Sequence, residues 1–154
     1  RDISASCQTD WCSSAEDLWV TVALRTNSRA TLNLHICALY LVEQNLGNSF
    51  STQLTNFLIN TKRLMESLCL DKFIIIGDFN MSEISWSPSD IGLQPSFLTQ
   101  SAKFSDFIDS IYECNLVQYN GIQNDRGVIL DLVLCTDTVC VTKCFDSLAT
   151  PEDV

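Results

Sequence analysis

The order of apolar and polar positions along the chain predicts alternating strands and helices. Residues 17–24 and 31–42 are rich in β-branched and aromatic side chains, which favours two strands. The polar segment between them predicts an antiparallel hairpin with its turn near Asn27 and Ser28. Residues 1–16 are polar and rich in serine, so we predict a loop there.

Two later segments have the spacing of amphipathic helices. Apolar side chains recur every three or four residues from about Ser51 to Cys69 and again from about Ser101 to Cys114. We interpret both stripes as core that covers a sheet. Their members are Leu54, Phe57, Leu58, Thr61, Leu64, Met65, Leu68 and Cys69 in the first helix, and Phe104, Phe107, Ile108, Ile111 and Tyr112 in the second.

Four further strands complete the predicted order β-β-α-β-α-β-β-β. Residues 73–77 are a short apolar run and predict a buried strand, and residues 116–119, 128–135 and 139–144 predict three more. Residues 81–100 contain two prolines, a glycine and many serines, so we predict a long loop that borders the functional site. A doubly wound nucleotide-binding fold fits worse, because no glycine-rich phosphate loop follows an early strand.

The strand at residues 73–77 ends in the most informative motif of the chain, Gly77-Asp78-Phe79-Asn80. Ligand sites in α/β sheets lie outside the carboxyl ends of the strands, where Asp78 and Asn80 would emerge. A carboxylate and an amide at this spacing suit a hard divalent cation and a phosphate ester. The alternative is an Asx turn, in which both side chains only bind the main chain.

Composition predicts a single globular core but gives no basic surface. The chain has 154 residues, of which 46% are hydrophobic and 18% charged, with a formal net charge of −10 and an isoelectric point near 4.2. Affinity for DNA comes largely from lysine and arginine, and the nine basic residues here are scattered. A DNA-binding groove would therefore depend on local potential, on metal ions or on other parts of the protein.

The cysteine pattern favours a reducing compartment. The eight cysteines lack the paired spacing of a zinc site, and several occupy apolar positions of predicted elements. We therefore favour buried free thiols over disulfides, and a nuclear or cytoplasmic location over secretion. The sequence shows no signal peptide and no apolar stretch approaching the ~20 residues of a membrane span, so no membrane partner is expected.

Four sequence blocks resemble one superfamily, in order and at plausible spacing. They are residues 34–41, 73–80, 116–124 and 127–134, which read LHICALYL, FIIIGDFN, LVQYNGIQN and GVILDLVL. They are similar to the endonuclease/exonuclease/phosphatase superfamily, specifically the apurinic-type endonuclease domain of jockey-like non-LTR retrotransposons. The resemblance implies an α/β (α+β) fold in which two packed mixed β-sheets are flanked by helices as a four-layer sandwich.

The resemblance also implies that the chain is a single partial domain over residues 1–154, incomplete at both ends. The strand with the superfamily's metal-binding glutamate has no counterpart upstream of Asp17, and Glu16 stands in the wrong context for it. The closing Ser-Asp-His motif is absent as well, and the only histidine, His35, lies among apolar residues and is expected to be structural. We therefore expect the 154 residues alone to be inactive.

The resemblance implies a role for each matched site residue. Asp78 would accept a proton from the attacking water beside the metal, and Asn80 would hold the phosphate or that water. Both are the implied ligands of Mg²⁺ or Mn²⁺. Tyr40 would donate to the scissile phosphate, although Val42 and Glu43 replace the usual residues after it.

Asp131 and two asparagines complete the implied site. Asp131 would orient the catalytic histidine. Its apolar neighbours on a strand predict that the carboxylate is buried, and burying a carboxylate that has no function costs free energy. An aromatic residue at a strand end remains the alternative reading of Tyr40. Asn120 and Asn124 would line the substrate groove, although turn formation explains them nearly as well.

The implied function is Mg²⁺-dependent DNA nicking, in an element that also carries a downstream reverse transcriptase and binds its own RNA. Two alternatives stay open. A phosphoesterase of the same superfamily, acting on a phosphoinositide or another lipid, suits the acidic charge. A decayed, non-catalytic copy suits the missing glutamate and histidine.

Overall fold

A mixed β-sheet of eight strands is the main element of the computed structural model, which describes residues 3–25, 31–97 and 102–143. Its strands are β1 (Ile3–Cys7), β2 (Glu16–Arg25), β3 (Thr31–Tyr40), β6 (Lys72–Asp78), β7 (Ile84–Pro88), β8 (Leu93–Phe97), β9 (Val117–Gln118) and β10 (Asp131–Cys135). A separate two-stranded ribbon is formed by β4 (Gln44–Asn45) and β5 (Asn48–Ser49). The helices are α1 (Phe50–Ser67), α2 (Ala102–Glu113) and a short 3-10 helix, Thr9–Trp11.

The strand order in the sheet is β1-β2-β3-β6-β10-β9-β8-β7. β3 and β6 run parallel, and the other neighbouring strands of the sheet pair antiparallel. Parallel neighbours need a long crossover, and α1 provides it between β3 and β6. The ends of β3 and β6 therefore lie side by side at one edge of the sheet.

Both helices contribute to a core on one face of this sheet. Ser49 caps the start of α1, because its Oγ accepts the Thr52 N–H at 3.3 Å. The Trp19 ring of β2 stacks on Phe57 of α1 with 6.4 Å between centroids, and Phe79 meets Phe107 of α2 at 5.6 Å. These contacts join helices and sheet into one hydrophobic cluster.

The opposite face of the sheet is exposed at its centre. Leu18, Ala38 and Ile76 are register partners on β2, β3 and β6, so their side chains lie on the same face. Leu18 is 51% and Ile76 39% exposed, whereas the alternating neighbours Trp19 and Ile75 are fully buried. The sheet is thus covered by helices on one side and presents an apolar surface on the other.

The mixed α/β class, both long helices and the β2–β3 pairing are confirmed, with helix ends within a few residues of those predicted. The turn near Asn27 and Ser28 lies outside the described residues. Where the resemblance implied two packed sheets, the described residues contain one large sheet and the small β4–β5 ribbon.

Three local predictions are wrong in the described part of the chain. The predicted loop at residues 1–16 contains β1 and the 3-10 helix, and the predicted loop at residues 81–100 contains the β7–β8 hairpin. Residues 139–143 of the last predicted strand are irregular. In the first two cases pairing with a neighbouring strand overrides a polar local sequence, since strand formation depends on cross-strand partners more than on intrinsic preference.

His35 occupies a buried structural position, as its apolar surroundings predicted. Its Nδ1 lies 2.9 Å from Thr21 Oγ1, and its Nε2 lies 3.0 Å from an Asp71 carboxylate oxygen. The ring also packs against Trp11 and Phe73. His35 therefore ties β2 and β3 to the turn before β6, at the opposite end of β6 from Asp78.

Gly77 lies at a close approach between β6 and β3, from which a stability prediction follows. A Cβ atom on Gly77 would lie 1.7 Å from the main-chain oxygen of Leu39, at a φ of +156° that side chains rarely adopt. We expect Gly77→Ala to lower the free energy of unfolding by about 3 kcal/mol or more, measured by urea denaturation.

Gly121→Ala is the matched control for this substitution. A Cβ atom at Gly121 meets nothing within 4 Å, so its effect should stay within about 0.5 kcal/mol. Equal stability of the two variants would contradict the close approach of β6 to β3.

The cysteines provide a second prediction, on thiol reactivity. The seven cysteines in the described residues are free: Cys7, Cys12, Cys69 and Cys140 are exposed, Cys114 is partly buried, and Cys37 and Cys135 are buried. Burial raises the pKa of the Cys37 and Cys135 thiols, so little thiolate is present at either position. Alkylation of the native protein, followed by mass spectrometry, should label the four exposed thiols well before these two. A reproducible native disulfide would contradict the expected reducing compartment.

Candidate active site

Three predicted site residues form one row across the end of the sheet. Tyr40, the last residue of β3, is the register partner of Asp78, the last residue of β6. Asp78 in turn faces Asp131, the first residue of β10. Register partners point to the same side of a sheet, so the phenol and the two carboxylates share the helix-free face.

The two carboxylates of this row come from a closely spaced pair of residues. The hydrogen bond from Phe79 N to Leu130 O, 2.9 Å long, flanks Asp78 and Asp131 and makes them a non-hydrogen-bonded antiparallel pair. In such pairs the Cα atoms are typically ~4.5 Å apart and the side chains are close. Like charges directly opposite each other repel and destabilise a sheet, and a bound cation would relieve this repulsion.

Asn80 is held in a fixed orientation beside the row. Its φ of 51° is in the left-handed region, which asparagine tolerates better than most residues. Its backbone N–H donates to Asp78 Oδ1 at 2.9 Å, and its side-chain Nδ2 donates to the carbonyl of Leu41 at 2.6 Å. The first bond forms the Asx turn that was the alternative interpretation. A site role for Asp78 and Asn80 stays a prediction, and Asp78 Oδ2 is the oxygen that this turn does not use.

Tyr40 borders an open cavity on the helix-free face. Tyr40 is 46% exposed. The cavity has a volume of about 600 Å³ and is lined by Ala15, Glu16, Asp17, Leu18, Ala38, Leu39, Tyr40, Ile76 and Gly77. Of the three residues in the row, only Tyr40 lines this cavity, and Gly77, which precedes Asp78, lines it as well.

Asp131 is exposed, so the expectation of a buried carboxylate is wrong. The apolar residues around it in the sequence alternate between the two faces, and Asp131 lies on the open face at the strand's first residue. Its proposed role in orienting a histidine stays a prediction.

Asn120 and Asn124 both bind main chain in the structure. Asn120 is buried and donates through Nδ2 to the carbonyl of Asp131 at 2.7 Å, while its Oδ1 accepts the Ile122 N–H at 3.0 Å. Asn124 Oδ1 accepts the N–H groups of Arg126 and Val128, both at 3.0 Å. These bonds show turn formation, and Asn120 supports the strand that presents Asp131. Contact of either side chain with substrate stays a prediction.

Glu16 was not predicted to belong to the site, but in the structure it lies next to Tyr40 and extends the row of Tyr40, Asp78 and Asp131. Glu16 is the register partner of Tyr40, and its side chain is exposed beside the same cavity. The alternation of Glu16, Leu18 and Val20 on β2 indicates that these residues share a face of the sheet. The register that places Glu16 beside Tyr40, however, depends on the tertiary fold.

The donor chemistry of the row fits a hard divalent cation. Mg²⁺ is commonly held by one or two carboxylates, with water molecules completing its shell. Asp78 and Asn80 stay the predicted ligands, with a carboxylate and an amide oxygen, and Asp131 lies opposite Asp78. Within the described residues no group of three or more His, Cys, Asp or Glu side chains could hold a metal ion, so water or further ligands would have to complete the shell.

Carboxylates, an amide and a phenol at the strand ends of a mixed α/β sheet are residue types that a metal-dependent phosphoester hydrolase would use. The profile of the endonuclease-reverse transcriptase family, in the endonuclease/exonuclease/phosphatase superfamily, matches residues 34–150, more than half of the chain. The chain belongs to this family. Enzymes of the superfamily are hydrolytic nucleases and phosphoesterases that typically depend on a divalent metal.

Among solved structures, the chain is similar to the human Nocturnin catalytic domain with a bound sulfate anion. The two share 13% identity with a TM-score of 0.44, over 88% of this chain and 47% of that one, so the chain spans about half of its length. No curated protein matches the chain. Within the described residues, no helix is long and apolar enough to cross a membrane.

The hydrogen bonds of buried Asn120 lead to a prediction about its role in stabilising the strand that presents Asp131. Asn120→Ala leaves the Asp131 carbonyl and the Ile122 N–H without partners, so we expect it to lower the free energy of unfolding by about 1–3 kcal/mol. Asn124→Ala is the control, because water can replace its bonds in an exposed turn and its cost should be smaller. Urea denaturation measures both, and an Asn120→Ala protein as stable as the wild type would contradict the supporting role.

Proposed function

We propose that this chain is part of a Mg²⁺-dependent DNA endonuclease domain that nicks target DNA by phosphodiester hydrolysis. The observation that carries the proposal is the row of Tyr40, Asp78 and Asp131, with Asn80 fixed beside it, in a chain of the endonuclease-reverse transcriptase family.

Each residue of the row has a distinct task in this proposal. Asp78 accepts the proton of the attacking water through its Oδ2, since its Oδ1 already binds the Asn80 N–H. The Asn80 amide, fixed by its bond to the Leu41 carbonyl, positions the phosphate or that water. Tyr40 donates its hydroxyl to the phosphate, and Asp131 orients a histidine that would come from outside these 154 residues, whose only histidine is His35. When bound, the divalent cation neutralises charge on the phosphate.

The acidic composition favours this metal-dependent mode of recognition. A chain with a net charge of −10 gains little from neutralising DNA phosphates with lysine and arginine. A cation held at the row would supply positive charge where the scissile phosphate binds.

In the intact element we propose that the nick exposes a 3′ hydroxyl that primes reverse transcription. The partners would be the target DNA, a downstream reverse transcriptase domain and the element's RNA, in the nucleus or the cytoplasm. The family's description, endonuclease-reverse transcriptase, supports this context.

The second candidate is a phosphoesterase that uses the same row on a phosphoinositide or another lipid. The net charge of −10 favours it over DNA, because a small substrate needs no extended basic surface. Phosphate release from phosphoinositide vesicles, with no nicking of plasmid, would select this candidate.

The central test is substitution of Asp78 in the protein expressed with its own flanking coding sequence on both sides. We expect Asp78→Ala to lower the rate of Mg²⁺-dependent nicking of supercoiled plasmid by about 10²–10⁴-fold, as for a lost general base. Asp109→Ala, which removes an exposed carboxylate on α2, is the matched control and should nick like the wild type. Equal nicking by wild type and Asp78→Ala would remove the proposed mechanism.

A further inference from the structure

Gln53, near the start of α1, is a polar side chain that is completely buried. Its Nε2 donates to the main-chain carbonyls of Val42 and Asn48, at 2.9 and 3.1 Å. Val42 precedes the β4–β5 ribbon, and Asn48 lies in the second strand of that ribbon. One side chain of α1 therefore holds both ends of the segment that connects β3 to the helix.

The carbonyl next to the one that Gln53 binds is the anchor of Asn80. Asn80 Nδ2 donates to the Leu41 carbonyl at 2.6 Å. The successive carbonyls of Leu41 and Val42 thus each accept a side-chain amide, one from the candidate site and one from α1. Gln53 is therefore connected to Asn80 through a single step of the main chain.

The segment that carries this anchor has no regular structure of its own. Residues 41–43 lie between the end of β3 and the start of β4. Two bonds from the start of α1 hold the segment, the one from Gln53 to Val42 and one from the Phe50 N–H to the Glu43 carbonyl at 3.0 Å. Only the first of these depends on a side chain, so only Gln53 makes the hold specific to the sequence.

The second polar atom of Gln53 indicates what this side chain contributes. Its Oε1 is buried and has no hydrogen-bond partner among the described residues. The amide cannot be reversed, because Oε1 would then oppose two carbonyl oxygens. A buried acceptor without a partner costs free energy, and an apolar side chain of similar size would avoid that cost. What glutamine adds at this position is the pair of Nε2 bonds to the main chain.

We propose that Gln53 is a positioning residue of the candidate site, which holds Leu41 and Val42 so that the Asn80 amide stays in place for the phosphate or the attacking water; this inference rests on the proposed function. Gln53 is completely buried and does not touch the substrate. It acts through the Leu41 carbonyl, the group that fixes the Asn80 side chain.

The first test is Gln53→Met, which removes both Nε2 bonds and the unpaired Oε1 while keeping an unbranched side chain that packs easily. We expect this variant to lower the rate of Mg²⁺-dependent plasmid nicking by about 10–100-fold, as is typical when a residue that orients a metal site is lost. The variants are made in the protein with its own flanking coding sequence.

Thr61→Val is the matched control for this substitution. Thr61 is also buried on α1, and its hydroxyl has no partner among the described residues. The control removes a buried polar atom from the same helix and leaves the bonds to Val42 and Asn48 intact, so it should nick like the wild type. An equal loss in Thr61→Val and Gln53→Met would overturn the positioning role.

A double-mutant cycle with Asn80→Ala separates positioning from a general loss of structure. Once Asn80 is replaced, Gln53 has no site amide left to hold, so adding Gln53→Met should lower nicking by less than about twofold. A residue that only stabilised the fold would give the same factor in both backgrounds. That result would overturn the inference.

Hydrogen exchange of the Asn80 side chain, followed by ¹⁵N NMR, tests the hold without any activity. In Gln53→Met the Asn80 Nδ2 protons should exchange about tenfold faster, the order expected when main-chain hydrogen bonds are lost. Unchanged exchange would overturn the inference.

The wild type alone decides if Gln53→Met does not fold. The Nε2 protons of Gln53 and the Nδ2 protons of Asn80 should then share one urea dependence, shallower than that of global unfolding, because one local opening releases both. Different urea dependences would contradict the hold.

The outcomes distinguish this inference from the proposed function. If the wild type does not nick plasmid but Asn80 exchanges faster in Gln53→Met, the positioning of Asn80 stands and the proposed chemistry fails. If the wild type nicks and Gln53→Met nicks equally well, the positioning role fails and the proposed function stands.

Discussion

The register of β6 between β3 and β10 is the constraint on which the candidate site depends. β6 pairs parallel with β3 and antiparallel with β10, and this double pairing sets Tyr40, Asp78 and Asp131 in one row. A slip of one residue would turn Asp78 toward the face that the helices cover. The missing side chain of Gly77 allows the approach to Leu39 that fixes this register, so one glycine couples the packing of the sheet to the geometry of the site.

The same pairing joins two of the candidate site residues to neighbours in the core. Asp78 and Asn80 are joined to Leu41 by main-chain and side-chain hydrogen bonds, and Leu41 and Phe79 are completely buried. A site built on strand ends with buried neighbours loses little freedom when a substrate binds. The polar side chains point away from this core onto the open face, where they remain accessible.

Much of this arrangement is predictable from local sequence. The helical spacing of Leu54, Phe57 and Leu64 defines α1, and the apolar run before Gly77-Asp78 defines the central strand and its end. The β7–β8 hairpin was missed because Pro88, Gly92 and Pro95 are loop signals, and the alternation of Ile84 and Trp86 with two serines is too short to outweigh them.

What local sequence could not provide is the pairing between distant strands. The exposure of Asp131 and the place of Glu16 opposite Tyr40 both follow from register across the sheet, which no short segment encodes. The β4–β5 ribbon, whose turn contains Leu46, is not predictable for a different reason. Its turn lacks the Asn-Gly or Asp-Gly signal of most type I′ hairpins, so the pattern gave no indication of a ribbon there.

The acidic character of the row connects its stability to its proposed chemistry. Asp78 and Asp131 face each other, and Glu16 extends the negative charge beyond Tyr40. In the absence of a cation this arrangement costs free energy and repels a phosphodiester, because like charges oppose each other at short range. A divalent cation would reverse both effects, since it would attract the carboxylates and the phosphate together. The residues that make the bare site unfavourable are therefore those that would make phosphate binding depend on the metal, and the proposed action of an acidic chain on DNA would rest on that condition.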